Sequence, residues 1–598
     1  MSYIVSFILP LLYIVFYTYS LTILFKKIKF EHALPLTLIL SAIIMYISLY
    51  LFKTIYFGLG LNVGLCLIFP IHLIKNKYSL KEIKKEYLTN GLISFIFIYI
   101  VIYLYDLNRY YTRWDELSHW GKMVKEIIRL DNFYSIDASH LLVHKDYPPI
   151  FPLMETLYTF ISGGFKETYL IRCIHVFEAS IILSIFNHDK KVDIKNTVLK
   201  TLLVFIFMCL LTFLFDSEVF INSIYTDIPL SFLVGYILFY IFRKNKYDSI
   251  FFITISILFI FLLLTKQIGL PLYLVCLLFL VLKLIFNKYK FNIKRILLVI
   301  LSVIIIPIIF LFSWNNYKHN LGLVGQFETS DIKINELPGI INKTEGEEWQ
   351  QIASEKYMKA LYTENITGSY IKITILSLII IIPLITAILF VNMKDKIEKK
   401  NYVILGISLI VGLIGYLLMM YLLYVFNFGP VESPILASYD RYLSCYILIV
   451  LYSLISIFIY YKDINYKYLI ILTIVVGALI RPHQYLRLRP DLIVLPNHLY
   501  DASKYAAYVI DNHTEVDDKV FILDQQEKNG AVFYVNYFSN KVKTNLVNYE
   551  LTNIINYKDI LKDYNYLYVY SLTTNELELN KLYKIEISND EVNLIKVG

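Results

Sequence analysis

The run Tyr110-Tyr111-Thr112-Arg113-Trp114-Asp115-Glu116-Leu117-Ser118-His119-Trp120-Gly121 sets two carboxylates side by side, just past the end of an apolar stretch. Continued as a helix, it puts Asp115 and His119 on one face, four residues apart. A carboxylate held there can act as a general base, taking a proton from a hydroxyl within hydrogen-bond reach. The same acids also suit a solvated helix N-terminus, where the dipole favours them. Beyond them, Leu117, Trp120, Met123, Val124, Ile127 and Ile128 are spaced as one face of an amphipathic helix. That pattern predicts a helix lying along a membrane surface.

Other candidates lie far along the chain. His144-Lys145-Asp146-Tyr147-Pro148-Pro149 ends in a stiff Pro-Pro pair. Such a pair commonly opens a helix, here the apolar run from Ile150 to Ile161, and would form a rigid lip beside a cleft. Asp216 and Glu218 precede Tyr225-Thr226-Asp227-Ile228-Pro229-Leu230, where Asp227 stands at the start of an apolar run. Lys266 lies in Lys266-Gln267-Ile268-Gly269, which separates two apolar runs, and Arg441-Tyr442 opens a later one. Cations in such places can hold a phosphate, Arg through two hydrogen bonds at once. They can also be anchors that reach from the bilayer to water. Asp115, Glu116 and Asp227 offer oxygen ligands of the kind Mg2+ or Mn2+ takes. The five cysteines each sit in an apolar run without a CxxC pair, which argues against a disulfide or zinc framework.

The elements that must position these residues are membrane helices. Of 598 residues, 57% are hydrophobic and 17% are charged, whereas a soluble domain is about a quarter charged. A helix needs roughly 20 apolar residues to cross the hydrocarbon. Fourteen stretches qualify or nearly so: 3–25, 34–53, 55–74, 91–105, 169–187, 196–215, 225–242, 249–265, 268–286, 296–313, 371–392, 402–426, 441–461 and 467–480. The first is too long for a signal peptide and lacks its cleavage site. Lys and Arg crowd the loops at 26–29, 75–85, 190–191, 243–244, 288–295 and 394–400, which marks those loops as cytoplasmic. Both termini are then external. So are a loop at 106–168, a loop at 314–370 and everything after 480.

The tail, 481–598, reads as a small external α/β domain. A capped amphipathic helix is expected over 501–511 and a buried strand over 519–523. A helix near 530–538 follows, then strands at 541–547, 566–570, 584–587 and 592–597. No GxGxxG or Walker sequence occurs in it. It holds 13 basic and 16 acidic residues, so the net charge of +8 comes from the first 480 residues. Most of that excess lies in the short cytoplasmic loops. The positive balance records membrane topology, with no nucleic-acid partner implied.

With these motifs in place, the layout resembles the GT-C superfamily of membrane glycosyltransferases, which includes protein O-mannosyltransferases and lipid A aminoarabinose transferases. Trp114-Asp115-Glu116 stands where the family has its acidic motif, in the first large external loop. Asp146-Tyr147-Pro148-Pro149 resembles its Pro-Pro turn, and Tyr225-Thr226-Asp227-Ile228-Pro229-Leu230 a second acidic site. Thr265-Lys266-Gln267-Ile268-Gly269 and Asp440-Arg441-Tyr442-Leu443 fit the same pattern. The resemblance covers 91–480 and leaves 1–90 as additional N-terminal transmembrane helices.

The resemblance implies a sugar donor linked to polyprenyl phosphate and inversion at the anomeric carbon. Asp115 would be the general base. Glu116 and Asp227 would position the acceptor or the base, or bind a divalent cation. His119, His144, Lys145, Tyr147, Lys266, Arg441 and Tyr442 would bind substrate, with Lys266 and Arg441 neutralising the leaving phosphate. The acceptor would be a glycan, lipid or protein hydroxyl in the cell envelope. The composition, rich in Ile, Lys, Asn and Tyr, points to an AT-rich genome; a bacterial source is expected, with the protein in the plasma membrane. Two other readings stand beside this one: a transporter or flippase of lipid-linked saccharides, and a polymerase or ligase that uses them.

Overall fold

The computed structural model describes residues 3–26, 28–186, 194–214, 223–244, 247–287, 292–323, 325, 332–367, 369–392, 395–462, 466–486, 488–489, 491, 498–525, 530–545, 558–571, 577–588 and 591–598. It divides into two compact units. The first is Met1–Asn108 with Asp146–Leu488, and the second is Arg109–Lys145 with Arg489–Gly598.

Helices account for most of the chain. In order they are α1 (Tyr3–Leu24), α2 (Phe30–Ile47), α3 (Ile55–Lys75), α4 (Leu80–Tyr87), α5 (Asn90–Tyr105), α6 (Gly121–Leu130), α7 (Ile150–Ser162) and α8 (Glu167–Leu183). There follow α9 (Ile194–Phe213), α10 (Asp227–Arg243), α11 (Ser249–Leu263), α12 (Gly269–Phe286), α13 (Ile293–Ile300) and α14 (Ile306–Asn320). Next come α15 (Leu337–Ile341), α16 (Glu348–Thr363), α17 (Ile375–Asn392), α18 (Lys396–Phe426), α19 (Gly429–Glu432), α20 (Tyr439–Lys462), α21 (Tyr466–Leu479) and α22 (Pro482–Leu486). The last three are α23 (His498–His513), α24 (Gly530–Phe538) and α25 (Lys558–Leu561).

A helix occupies each of the fourteen apolar stretches, as it must where backbone groups have no water to bond. Among the described residues, eight helices are long and apolar enough to cross a membrane: Tyr3–Leu24, Phe30–Phe52, Ile55–Lys75, Lys195–Phe213, Gly269–Phe286, Ile293–Asn320, Lys396–Phe426 and Tyr439–Tyr460. A ninth arises if α4 and α5, bent by 85°, are one span. The bend has a local cause. α4 ends with Leu88 as its cap and Thr89 starts α5, its side chain accepting from the amide of Leu92 at 3.2 Å. The count falls below fourteen because several apolar stretches outrun their helices. Ser249–Leu263 and Tyr466–Leu479 are short, and of α17 only Ile375–Ala387 enters the count among the described residues. α8 and α10 have 17 residues each, and α8 carries Glu167, Arg172, His175 and Glu178.

The helices before residue 90 are integral to the first unit. α2 packs against α1, α3, α7, α8 and α11. α10 packs along α20, where Gly235 leaves room for the ring of Tyr452. A Cβ there would stand 2.4 Å from Cδ1 of that ring.

The second unit contains the sheet: β1 (Lys519–Asp524), β2 (Lys543–Thr544), β3 (Tyr566–Ser571), β4 (Lys581–Ser588) and β5 (Glu591–Lys596). Its order is β2-β1-β3-β4-β5. β1 is parallel to β2 and β3, while β4 and β5 are antiparallel additions. α24 is the crossover from β1 to β2. The alternation in β1 is what buries both faces. Val520 and Ile522 join Ala506, Ile510, Val532, Val535 and Tyr568 on one side. Phe521 and Leu523 join Leu567, Val569 and Tyr583 on the other. The helices and strands read from the tail sequence are therefore present, though the expected strand at 541–547 is seen only as β2, Lys543–Thr544, with 546 and 547 outside the described residues. Leu142, from the first large loop, packs on the first of these clusters.

Candidate functional site

The candidate residues fall into two groups, one in each unit. In the first unit, Asp227 opens α10, where a helix N-terminus favours an acid. Lys266 sits in the turn between α11 and α12. That turn is tight: a Cβ on Gly269 would lie 2.2 Å from the carbonyl oxygen of Leu262. Lys266 Nζ is 3.5 Å from Oδ1 of Asp227, and the two side chains are 15% and 9% exposed.

Rings surround this ion pair. Lys266 Nζ lies 5.9 Å from the ring centre of Tyr147 and 5.8 Å from that of Tyr442. Arg441 is next along α20. Its guanidinium lies 5.0 Å from the Tyr442 ring and 5.4 Å from the Tyr225 ring. Its Nη2 donates to the Tyr442 hydroxyl at 3.1 Å. The turn ahead of Pro148-Pro149 is tied down as well. Gln267 Nε2 donates to Asp146 Oδ2 at 3.1 Å, and the Trp314 indole donates to the Asp146 carbonyl at 3.1 Å. α7 begins at Ile150, directly after the prolines.

These residues border a cavity of about 260 Å3. Tyr147, Asp227, Lys266, Gln267, Tyr416 and Tyr442 are among its polar lining. Leu270, Pro271, Met419, Met420, Leu423 and Phe428 supply an apolar wall. Four sequence-predicted residues thus line one cavity, and Arg441 stands beside it. Asp216 and Glu218 lie outside the described residues.

In the second unit, Asp115 is partly exposed. Glu116 is buried, and its Oε2 accepts from the amides of Thr112 and Arg113 at 2.9 and 3.0 Å. That carboxylate holds the loop that delivers Asp115. His119 is buried, its Nδ1 2.9 Å from Ser118 Oγ. Its ring meets that of His144 edge-on at 4.6 Å. His144 has φ +59, a left-handed conformation that turns the chain there. Lys145 donates to the Ser139 carbonyl at 3.4 Å. Burial, and Lys543 beside it, lower the pKa of its ammonium.

The expected surface helix is a buried one. Leu117, Trp120, Met123, Val124 and Ile127 are all sealed from solvent. So are Lys122 and Glu126, which the spacing rule did not single out. Lys122 Nζ donates to the carbonyls of Asn536 and Ser539, at 2.7 and 3.2 Å, and lies 3.3 Å from Glu126. Arg129 Nη2 is 2.7 Å from Glu126, and His140 Nε2 is 2.9 Å from Asp517. Burial alone would raise the Glu126 carboxyl, but Lys122 and Arg129 pull it down to about 2. Burial lowers Lys122 and His140 against the pull of those carboxylates.

Among the described residues, no group of three or more His, Cys, Asp or Glu side chains is placed to hold a metal ion. Asp115 and Glu116 belong to the second unit and Asp227 to the first, and Glu116 is already bonded to its own loop. The chain matches no protein-family model and no curated protein sequence.

Proposed function

We propose that the protein is a membrane glycosyltransferase that moves a sugar from a polyprenyl-phosphate-linked donor to an acceptor hydroxyl, with inversion. The observation that carries this reading is the cavity beside Asp227 and Lys266. An isoprenoid chain needs an apolar wall, and its phosphate needs a fixed cation at one end of that wall. Met419, Met420, Leu423 and Phe428 offer the wall, and Lys266 and Arg441 the cations.

In this reading Asp227 holds the Lys266 ammonium in place before the donor arrives. The phosphate then takes over that ammonium as the sugar–phosphate bond breaks and charge builds on oxygen. The family resemblance gives Asp115 the role of base for the attacking hydroxyl, and a single displacement needs no second base. Glu116 and the His119–His144 pair position Asp115 and the acceptor. We place the reaction on the external face of the bacterial plasma membrane, because Lys and Arg crowd the opposite loops.

The test is reconstitution in liposomes with an undecaprenyl-phosphate-linked hexose labelled on the sugar. Transfer to cell-envelope extract should appear with the intact protein and vanish with Asp115→Asn and with Lys266→Ala. Movement of the intact labelled lipid between leaflets, with the sugar–phosphate bond unbroken, would sink this reading in favour of a flippase.

A further inference from the structure

Every residue of α8 from Thr168 to Leu183 is buried, and among them stand Arg172, His175 and Glu178, spaced three apart. Ionisable groups inside a membrane bundle are rare and mark ion or substrate paths. The donor cavity uses none of these three. Asp106, which ends α5, meets His175: Oδ2 lies 2.7 Å from Nδ1, with both side chains almost fully enclosed. One turn further along α8, Glu178 has no exposed surface. Among the described residues neither of its carboxylate oxygens has a hydrogen-bond partner.

The surroundings extend the line in both directions. Arg172 rests over the Tyr103 ring at 4.1 Å, and its Nε and Nη1 make no hydrogen bond among the described residues. Asp106 from α5 and Cys209 from α9 lie within electrostatic reach of Glu178. α7 brings Glu155 near Cys173, and Tyr158 near Arg172. At the far end, Arg243 of α10 donates to the Ser184 carbonyl at 3.4 Å and lies 3.0 Å from Nδ1 of His32 on α2. From Arg172 to Ser184 the chain rises about 18 Å along the helix axis, and polar groups recur along that length.

We propose that Asp106, His175 and Glu178 form a proton relay inside the first unit, with Glu178 as the group that takes up and releases the proton. The step is a proton transfer alone. The His175 imidazolium gives its proton to a Glu178 oxygen, which leaves a neutral imidazole and a carboxylic acid. Asp106 then holds the imidazole for the next proton. His175 and Glu178, at i and i+3, face each other across about 5–6 Å between their Cβ atoms, within reach through one water or one rotamer change. This site is separate from sugar transfer and does not depend on that reading.

The test uses the full-length protein in lipid nanodiscs and dicyclohexylcarbodiimide, an apolar reagent that adds to a carboxyl only when it carries a proton. Peptide mass spectrometry then locates the adduct at each pH. Glu178 should be modified in a pH-dependent way, and Glu178→Gln should abolish the adduct. In His175→Gln and Asp106→Asn the midpoint of labelling should move by about one pH unit or more. Labelling of the unsubstituted protein tests the idea even if a variant fails to fold. The relay is overturned if Glu178 is unmodified at every pH. It is equally overturned if the midpoint is the same in the unsubstituted protein and in both variants.

Discussion

Lys266 Nζ lies 3.5 Å from Oδ1 of Asp227, and both side chains are largely enclosed. One residue comes from the turn after α11 and the other from the first turn of α10, 39 positions away in sequence. Removing one member of such a pair leaves the other charged and poorly solvated, at a cost of about 3–5 kcal/mol.

Asp227→Asn should therefore lower the melting temperature and reduce sugar transfer by about 100-fold or more. The double variant Asp227→Asn, Lys266→Met should recover stability but not transfer. Differential scanning fluorimetry with a transfer assay separates the two effects. Recovery of transfer in the double variant would show that the pair is only structural.

Asp115→Asn should cost about 100- to 10,000-fold in transfer rate, the range for losing a general base. Its melting temperature should stay within about 1 °C, because Asp115 is partly exposed. Glu116→Gln should behave differently. Glu116 holds the amides of Thr112 and Arg113, so its loss should raise amide exchange there.

The second unit should lose stability in acid. The Glu126 carboxyl stands at about 2, below the unfolded value of about 4.3. Its contribution is present above about pH 4.3 and is lost as pH falls toward 2; it is worth about 3 kcal/mol. His140 is also lowered, by burial, so protons favour the unfolded state below about pH 6.5 as well. Hydrogen exchange in α24 should rise as pH falls through these windows, after correction for the intrinsic rate. Lys122→Met should raise it at pH 7, because Lys122 caps the carbonyls of Asn536 and Ser539.

Gly269→Ala should reduce the yield of folded protein. The added methyl would stand 2.2 Å from the backbone oxygen of Leu262, which belongs to α11 and not to a flexible side chain. Strain of that kind costs about 1–3 kcal/mol. Gly60→Ala, where nothing lies within 4 Å, is the control and should be neutral or slightly stabilising.

Much of this was legible in the sequence, for reasons that can be named. Apolar runs dictate helices because unpaired backbone groups are costly in hydrocarbon, and a helix stands at each such run. The tail strands were legible from β-branched and aromatic clusters such as Lys519–Asp524. Asp227, Lys266 and Tyr442 were legible as polar residues where apolar runs break, and they line one cavity. Helix length was harder to read, since hydropathy runs on past the point where a helix stops, as at Leu183. The partners of Lys122 were hidden, because Asn536 and Ser539 lie more than 400 residues away and offer only carbonyls. Arg172, His175 and Glu178 were in plain view, but their spacing matters only once α8 is known to be enclosed.

Arg109–Lys145 and Arg489–Gly598 fold as one unit, and Asp146–Leu488 separates them. During synthesis the first piece emerges 343 residues ahead of the second. At about 5–20 residues per second, that is an interval of roughly 20–70 s. Throughout it Lys122 has no carbonyls to cap, and Leu142 has no cluster to pack on. The segment that carries Asp115 must therefore wait unassembled, exposed to proteases and chaperones. A ribosome that stalls within Asp146–Leu488 would leave the segment that carries Asp115 without the residues that complete its unit, so an antibody to folded Arg109–Lys145 would report that synthesis had passed Leu488.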